Sequence, residues 1–312
     1  MLAARARTVI SITTEKHSMG TRFFLDRYRA MGHTLLGNEV TKRAIRVNTL
    51  LASREEAVGK LEARGVKLTG IPWLRDGLYV EGGESSIGAS FEYLLGLYSI
   101  QEAAAQFPVE VLSPNPGENV LDMCAAPGGK TTQMAAWMGN SGVVVAVDVR
   151  RDRVYALENN LERTGSENCV AYCADAARLD YGGTLFDKIL LDAPCSGNYV
   201  TDRSWFNKRN IRDVEANATE QRRLLGAAVG LLRPCGTLVY TTCSLEPEED
   251  EYNIQWLLDN HDIELVEVEG PGSPALTEIP GKNLSKEVAR CRRFWPDEVG
   301  TQGFFVAKVV KS

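Results

Sequence analysis

The chain has 312 residues, 44% of them hydrophobic and 24% charged, which suits a soluble globular protein with one large domain, a small one and an ample core. No apolar run reaches the roughly 18–20 residues that span a bilayer. The seven cysteines, an odd number spread along the chain, point to free thiols in a reducing cytoplasm and exclude a disulfide framework. The formal net charge of −6 is uneven: residues 1–80 carry 14 Lys and Arg against 7 Asp and Glu, residues 81–312 carry 21 against 34. A basic front end before an acidic body suits a polyanion on one face.

Residues 1–20 form a weakly basic stretch whose apolar core is too short for a secretory signal. They are expected to be a tail or an upstream start, since Met19 would also open the chain. A small αβ unit is expected over 21–95. Arg22–Leu36 has helical spacing with a basic face, and Ala44–Leu50 reads as a strand. Ser53–Gly65 opens with a Ser-x-x-Glu capping box and closes on a glycine, so it is a helix. Gly77–Gly83 is another strand, and Ser86–Leu112 is expected to be helical in pieces, broken at Gly96 and Pro108.

The larger domain is expected over 96–312. After the turn cluster "SPNPGE", strands alternate with helices: "NVLDMC", "GGKTTQMAAWMG", "GVVVAVDV", "DRVYALENNLERTG". The strands "NCVAYCAD" and "FDKILLDAP" follow, then the helix Val214–Leu232, the strand "GTLVYTTC" and the helix "PEEDEYNIQWLLDN". The last strands are "IELVEVE" and "GFFVAKVV". Such alternation implies an α/β fold with a parallel sheet covered on both faces, whose ligands bind at the carboxyl ends of the strands. Cys124, Asp148, Asp175, Asp192 and Cys243 all fall at or just beyond strand ends, and five such residues on one edge outline a site. Cys169 and Cys173 have none of the three histidines nearby. They are expected to be small core residues on one face of a strand, and no metal site is expected.

"DMCAAPGGKTT" joins the first strand of this series to its helix, and its paired glycines allow a tight turn and close approach of a ligand. Asp148 ends the next strand, about 20 residues on, where nucleotide-binding folds place an acid on ribose hydroxyls. Asp175 ends the third, where a carboxylate could accept from an adenine amino group. Taken singly each Asp reads as a cap or turn residue; as an ordered set they favour an adenosine-containing ligand. A P-loop nucleoside triphosphatase is the alternative, since "GGKT" and "KILLDAP" mimic its two motifs. Cys124 stands where that loop needs glycine, and Pro127 removes an amide from it.

"DMCAAPGGKTT", "LLDAPCSG" and "YTTCSLEPEEDE" together resemble the RsmB-like, Nop/Sun family of RNA cytosine carbon-5 methyltransferases, and "IRVNTL" and "YSIQEAAAQFP" match the family's N-terminal part. The resemblance runs from about Arg22 to the end. It implies a Rossmann-like methyltransferase sheet of seven strands, one made antiparallel by the last hairpin, behind a small N-terminal α+β RNA-binding domain. It also implies S-adenosylmethionine as cofactor, with Cys124, Ala125, Ala126, Pro127, Gly128, Gly129, Lys130, Asp148, Arg153, Asp175 and Asp192 lining the pocket. Asp297 stands in the family's closing motif where a histidine is common, and receives no role.

The resemblance makes Cys243 the nucleophile that adds to carbon-6 of cytosine, so that carbon-5 becomes an enamine carbon able to take a methyl group. Cys195 then assists release, and Asp192 bonds the ring nitrogen and amino group. Lys130 orients Asp192 or the base, or is a surface lysine. The helix after Cys243 is expected to favour the thiolate, with its acids working against that. The implied partner is RNA, with tRNA preferred and ribosomal RNA open, for a cytoplasmic enzyme expected to act as a monomer. A catalytically silent RNA-binding or assembly factor of the same fold is a further alternative. Arg22, Arg27, Arg29, Lys42, Arg43 and Arg46 are expected to grip the RNA backbone. Trp205 and Phe206, in the Arg203–Arg212 stretch, either stack on bases or anchor a loop.

Overall fold

A computed structural model of the chain describes residues 19–83 and 86–312; the expected tail at 1–20 lies outside these except for its last two residues. The first unit runs α1 (Met19–Ala30), β1 (Ala44–Val47), α2 (Arg54–Glu62), β2 (Lys67–Gly70), β3 (Gly77–Gly82), α3 (Phe91–Leu94) and β4 (Tyr98–Ile100). Its antiparallel sheet has the order β2-β3-β1-β4. The capping box forms: Ser53 Oγ accepts from the Glu56 amide at 3.2 Å, and the Glu56 carboxylate accepts from the Ser53 amide at 2.9 Å. β2 is largely exposed and β4 is short, so neither shows the apolar alternation of a half-buried strand. Through β4 the sheet extends to Ile100, past the expected boundary at 95/96.

The second unit begins with α4 (Ala103–Leu112), which carries Pro108 without breaking. Ala104, Phe107, Val109 and Leu112 are buried against the large sheet, and that packing outweighs the proline's local cost. There follow β5 (Asn119–Asp122), α5 (Gly129–Trp137), β6 (Val143–Asp148), α6 (Arg151–Thr164), β7 (Cys169–Cys173), β8 (Phe186–Asp192), α7 (Trp205–Lys208), α8 (Ile211–Leu231) and β9 (Leu232–Thr242). The chain ends with α9 (Glu251–Asn260), β10 (Ile263–Val266), β11 (Ser273–Pro274), the hairpin β12 (Glu278–Ile279) and β13 (Lys282–Asn283), β14 (Arg292–Phe294), α10 (Pro296–Val299) and β15 (Phe304–Lys311).

The large sheet has the order β11-β14-β15-β9-β8-β5-β6-β7. β7, β6, β5, β8 and β9 are parallel, and β15 runs antiparallel to β9. The expected seven strands are present, with two additions. β14 pairs with the start of β15 and β10 with its end, and β11 extends the sheet beyond β14. Adjacent residues of β8 face opposite layers. Ile189 and Leu191 pack in the core that holds Leu225 of α8 and Ile254 of α9. Leu190 packs in the core that holds Phe107 of α4 and Met134 of α5.

Two expectations for the front end change here, and one alternative is decided. Arg46 is 2% exposed, because all four residues of β1 are buried. It donates to Thr132 Oγ1 at 2.8 Å and to the Gly129 carbonyl and Gln101 Oε1, so it braces the "PGGKT" turn and is closed to RNA. Arg27 is largely committed to Glu248 at 2.8 Å and Glu246 at 3.2 Å. Trp205 and Phe206 are buried against Phe24 of α1, and Trp205 Nε1 donates to the Ser196 carbonyl at 2.7 Å. The loop-anchor reading holds for both aromatics, and neither is open to stack on a base. Arg22, Arg29, Lys42 and Arg43 stay exposed. Among the described residues no helix is long and apolar enough to cross a membrane.

Arg46→Ala should loosen the start of α5. Hydrogen–deuterium exchange at the amides of residues 130–133 should quicken in that variant, while Lys42→Ala with Arg43→Ala leaves those amides as they were. Equal exchange in both proteins would show that Arg46 does not brace the turn.

Candidate active site

β8 and β9 are neighbours with Asp192 opposite Thr241, and the Ala193 amide continues the ladder to the Thr241 carbonyl at 2.9 Å. Both chains leave the sheet at the same level, and their cysteines meet just above it. Cys195 Sγ and Cys243 Sγ are 3.1 Å apart although 48 residues separate them in sequence. Both are free thiols and partly exposed. The hydrogen bond to Cys243, then burial, then the Cys243 and Glu249 charges push the Cys195 thiol well above its ordinary range. Asn198 ties the loops together by donating to the Cys243 carbonyl at 2.8 Å and the Gly303 carbonyl at 3.1 Å.

Asp192 sits beside the pair. Its Oδ2 accepts from Lys130 Nζ at 2.7 Å, so the lysine is bound to the acid and is not a loose surface cation. The turn before Lys130 needs its glycine: Gly128 has φ of +103°, and a Cβ there would lie 2.9 Å from Leu157 Cδ1. Asn160 of α6 donates to the Pro127 carbonyl at 2.9 Å, and Arg153 donates to the Ala126 carbonyl. Asp148 is buried at the end of β6, accepting from the Ala126 amide at 3.2 Å and the Arg150 amide at 3.0 Å. These bonds pin the turn to the strand that carries the acid.

A cleft of about 420 Å³ runs along these strand ends, lined by Cys124, Asp148, Arg153, Asp175, Asp192 and both cysteines of the pair. An adjoining chamber of about 200 Å³ is lined by Ala125, Ala126, Pro127, Gly129, Lys130 and again Cys124 and Asp192. Of the expected site residues, Gly128 alone lines neither space and acts through the backbone. Asp175 also has company that its sequence position did not reveal: Arg223 of α8 reaches both its oxygens at 3.1 Å. Burial pushes the Asp175 carboxyl up, but bonds from Arg223 and the Ala177 amide outweigh that and hold it below its ordinary value. The amides of α9 begin eight residues past Cys243, behind the carboxylates of Asp250 and Glu251. The expected help of that helix to the thiolate is not delivered.

Several lining groups were not expected. Val149, 69% exposed, offers an apolar surface directly after Asp148. Asp122 is buried, bonded to Thr131 through Oδ2 at 2.7 Å and left with Oδ1 unpartnered. Burial raises its carboxyl to about 7, against the Thr131 bond and with the Asp192 charge adding to the rise. A strand-end "D" in "LDMC" was the available signal for it. Arg223 and Asn198 carry no signal in sequence, because each reaches the site from another element, and Gln101 lies in the stretch "YSIQEAAAQFP" without having been given a role. Asp297 faces His33 Nδ1 at 3.5 Å, and His33 stacks on Trp295 with centroids 3.8 Å apart. Cys173 is exposed at the end of β7, unlike the core residue expected, whereas Cys169 packs under α6.

The chain matches the family model for 16S rRNA methyltransferase RsmB/F over residues 109–310, and the model for the N-terminal domain of 16S rRNA methyltransferase RsmF over residues 22–103. It is 38% identical over 277 residues to the tRNA (cytosine(49)-C(5))-methyltransferase of Pyrococcus abyssi, covering 86% of this chain and 88% of that one. It is 36% identical to the human 28S rRNA (cytosine(4447)-C(5))-methyltransferase but spans only 35% of its length. It spans 57% of the ribosomal RNA small subunit methyltransferase F of Klebsiella pneumoniae at 37% identity. Among solved structures, a methyltransferase homolog protein from Pyrococcus horikoshii superposes with a TM-score of 0.83 at 40% identity, covering 93% of this chain and 95% of that one. NSun6 from Pyrococcus horikoshii, solved with the S-adenosylmethionine analogue SFG, gives 0.79 at 27% identity, covering 94% and 95%. The nucleoside triphosphatase and the silent assembly factor both give way to these matches: the chain belongs to the RsmB/F family of RNA cytosine-C5 methyltransferases.

Proposed function

We propose that this protein transfers a methyl group from S-adenosylmethionine to carbon-5 of a cytosine in RNA through a covalent adduct between Cys243 and carbon-6. The observation that carries the reading is the thiol pair 3.1 Å apart beside the Lys130–Asp192 couple. The family resemblance makes Cys243, in the Thr-Cys motif, the nucleophile and Cys195, in the Pro-Cys motif, its assistant, and the raised Cys195 thiol is consistent with the assisting role. The Cys243 thiolate adds to carbon-6, and the ring nitrogen N3 takes a proton from solvent as charge builds on it. Asp192 accepts hydrogen bonds from that N3–H and from the amino group, with Lys130 holding the carboxylate in place. Carbon-5 forms its bond to the methyl carbon, whose bond to the sulfonium sulfur breaks with the electron pair going to sulfur. Loss of the carbon-5 proton to solvent then re-forms the ring double bond and expels the Cys243 thiolate, a step Cys195 assists, and N3 returns its proton to solvent. The adduct divides one difficult displacement into easier steps.

The cleft fits the cofactor on this chain's own groups. Asp148 offers a charged acceptor for ribose hydroxyls, Val149 an apolar surface for the adenine, and Asp175 an acceptor it shares with Arg223. The unpartnered Asp122 Oδ1 fits an ammonium donor. When bound, the cofactor supplies an electrophilic methyl group on a sulfonium. The RNA is proposed to be tRNA: the archaeal relative is named for tRNA and is matched over 88% of its length, the ribosomal RNA relatives over 35–57% of theirs. The exposed Arg22, Arg29, Lys42 and Arg43 are proposed to meet its phosphates, offsetting the acidic body. Action in the cytoplasm fits seven unpaired cysteines.

Asp148→Ala should lower cofactor affinity by about 1.5–3 kcal/mol, the worth of a hydrogen bond to a charged acceptor. Calorimetry on a folded variant checks this, and unchanged affinity removes Asp148 from the site. Cys243→Ala should abolish methylation and form no adduct with RNA, whereas Cys195→Ala should attack but stall, leaving an adduct that survives denaturing electrophoresis. A stable adduct from Cys243→Ala instead would reverse the two roles. Lys42→Ala with Arg43→Ala should weaken RNA binding and reduce the slope of its salt dependence by about 2. An unaltered slope would leave the front end a solvated surface.

A further inference from the structure

We propose that Glu249 is a positioning residue: from the acidic run behind the Thr-Cys motif, it holds the Cys195 loop against the Cys243 loop, so that the second thiol meets the adduct formed on the first. This rests on the reaction proposed above. Glu249 is fully buried. Its Oε1 accepts from the Ser196 amide at 2.9 Å and its Oε2 from the Ser196 hydroxyl at 2.7 Å, so both oxygens grip the residue directly after Cys195.

The grip continues to the other cysteine. Ser196 Oγ lies 3.3 Å from Ser244 Oγ, and Ser244 directly follows Cys243. The Glu246 amide donates to Ser244 Oγ at 3.0 Å. Ser196 gives its proton to Glu249, so Ser244, which accepts from the Glu246 amide, gives its own to Ser196 or directly to the Glu249 carboxylate, which Asn217 also bonds. Each hydroxyl has one proton to give. Only an acceptor at position 249 satisfies them. A glutamine there keeps one acceptor, and either the Ser196 amide or a serine hydroxyl then loses its partner.

The backbone of Glu249 is itself held. Tyr240 Oη and Asn253 Nδ2 donate to the Glu249 carbonyl, the latter at 3.1 Å. Asn253 also donates to Gln221 Oε1 at 2.7 Å, and Gln221 Nε2 donates to the Pro194 carbonyl at 2.8 Å. The Cys195 loop is thus fastened on the residue before the cysteine and on the residue after it, both from the Glu249 frame. Glu249, whose own carboxyl is raised by burial, is also among the groups that push the Cys195 thiol up.

Misplacing a reacting group by about 1 Å can cost up to about 100-fold. With the full chain, an RNA transcript and S-adenosylmethionine, Glu249→Ala should therefore form the Cys243 adduct at close to the parent rate but release it about ten- to a hundredfold more slowly. Glu249→Gln and Ser196→Ala should fall between it and the parent. Adding Glu249→Ala to Cys195→Ala should slow release no further, since the two act through one step. Release at the parent rate in folded Glu249→Ala and Glu249→Gln overturns the proposal. So does a fall in adduct formation and cofactor affinity in parallel with release, which would mark a general structural role. If Glu249→Ala does not fold, Glu249→Gln and Ser196→Ala carry the same comparison.

Failure of the underlying reaction scheme has a separate sign, the absence of adduct in Cys195→Ala itself. In that event oxidised glutathione decides, without RNA. It takes two electrons from the Cys195 and Cys243 thiols, whose protons pass to the two reduced glutathiones released as the disulfide forms. Mass spectrometry should find this linkage about tenfold slower to form in Glu249→Gln if Glu249 aligns the thiols, and an unchanged rate overturns the proposal.

Discussion

The parallel pairing of β8 with β9 is the constraint on which the site depends. With Asp192 opposite Thr241, the carboxylate and both cysteines leave the sheet at one height. A shift of one residue in that register would send Asp192 to the other face and part the thiols. β5 lies on the other side of β8, so the helix that follows β5 brings Lys130 within 2.7 Å of the same carboxylate. Three segments distant in sequence become one cluster of side chains because three neighbouring strands point the same way.

The acids behind Cys243 form a buried frame under that cluster. Glu246 takes Tyr28 Oη at 2.7 Å and Arg27 from α1, while Glu249 takes Ser196. Asp250 accepts from Thr242 Oγ1 at 2.5 Å and pairs with Arg293 at 2.9 Å; Glu251 pairs with the same arginine. Arg293 is fully buried and also donates to the Leu245 carbonyl at 2.9 Å. Burial raises the carboxyl of Glu246 to about 7, even with Arg27 drawing it down. Ion pairs placed so deep are weak evidence for net stability. Here they fix α1, the Cys195 loop, the Cys243 loop and β14 relative to one another.

The front end is divided between two tasks. Arg46 and Arg27 face inward, one bracing the turn at Gly129 and the other capping the acidic frame. Lys42 and Arg43, next to Arg46 in sequence, remain on the surface. The small domain thus shares a side chain with the turn that lines the cleft, and its cations cannot be counted together as one electrostatic patch.

Much of this was legible in the sequence, for physical reasons that operate locally. The alternation of strands and helices, the Ser53 capping box, the Gly128 turn and the strand-end acids all express short-range rules of periodicity, capping and turn geometry. The family's motifs then named the thiols and Asp192. Tertiary structure alone decided what lies across the chain from each residue. The cations at 27 and 46 look alike in sequence to those at 22 and 43, and only packing sorted them into buried braces and exposed charges. Trp205 beside cations reads equally as a stacking platform or an anchor until α1 covers it. The acid block after Pro247 looks like the start of a helix, yet Glu249, Asp250 and Glu251 are fully buried. Their partners, Ser196 and Arg293, lie 42 to 53 residues away. Burial and hydrogen-bond partnership at that range are properties of the folded chain, and no local pattern encodes them.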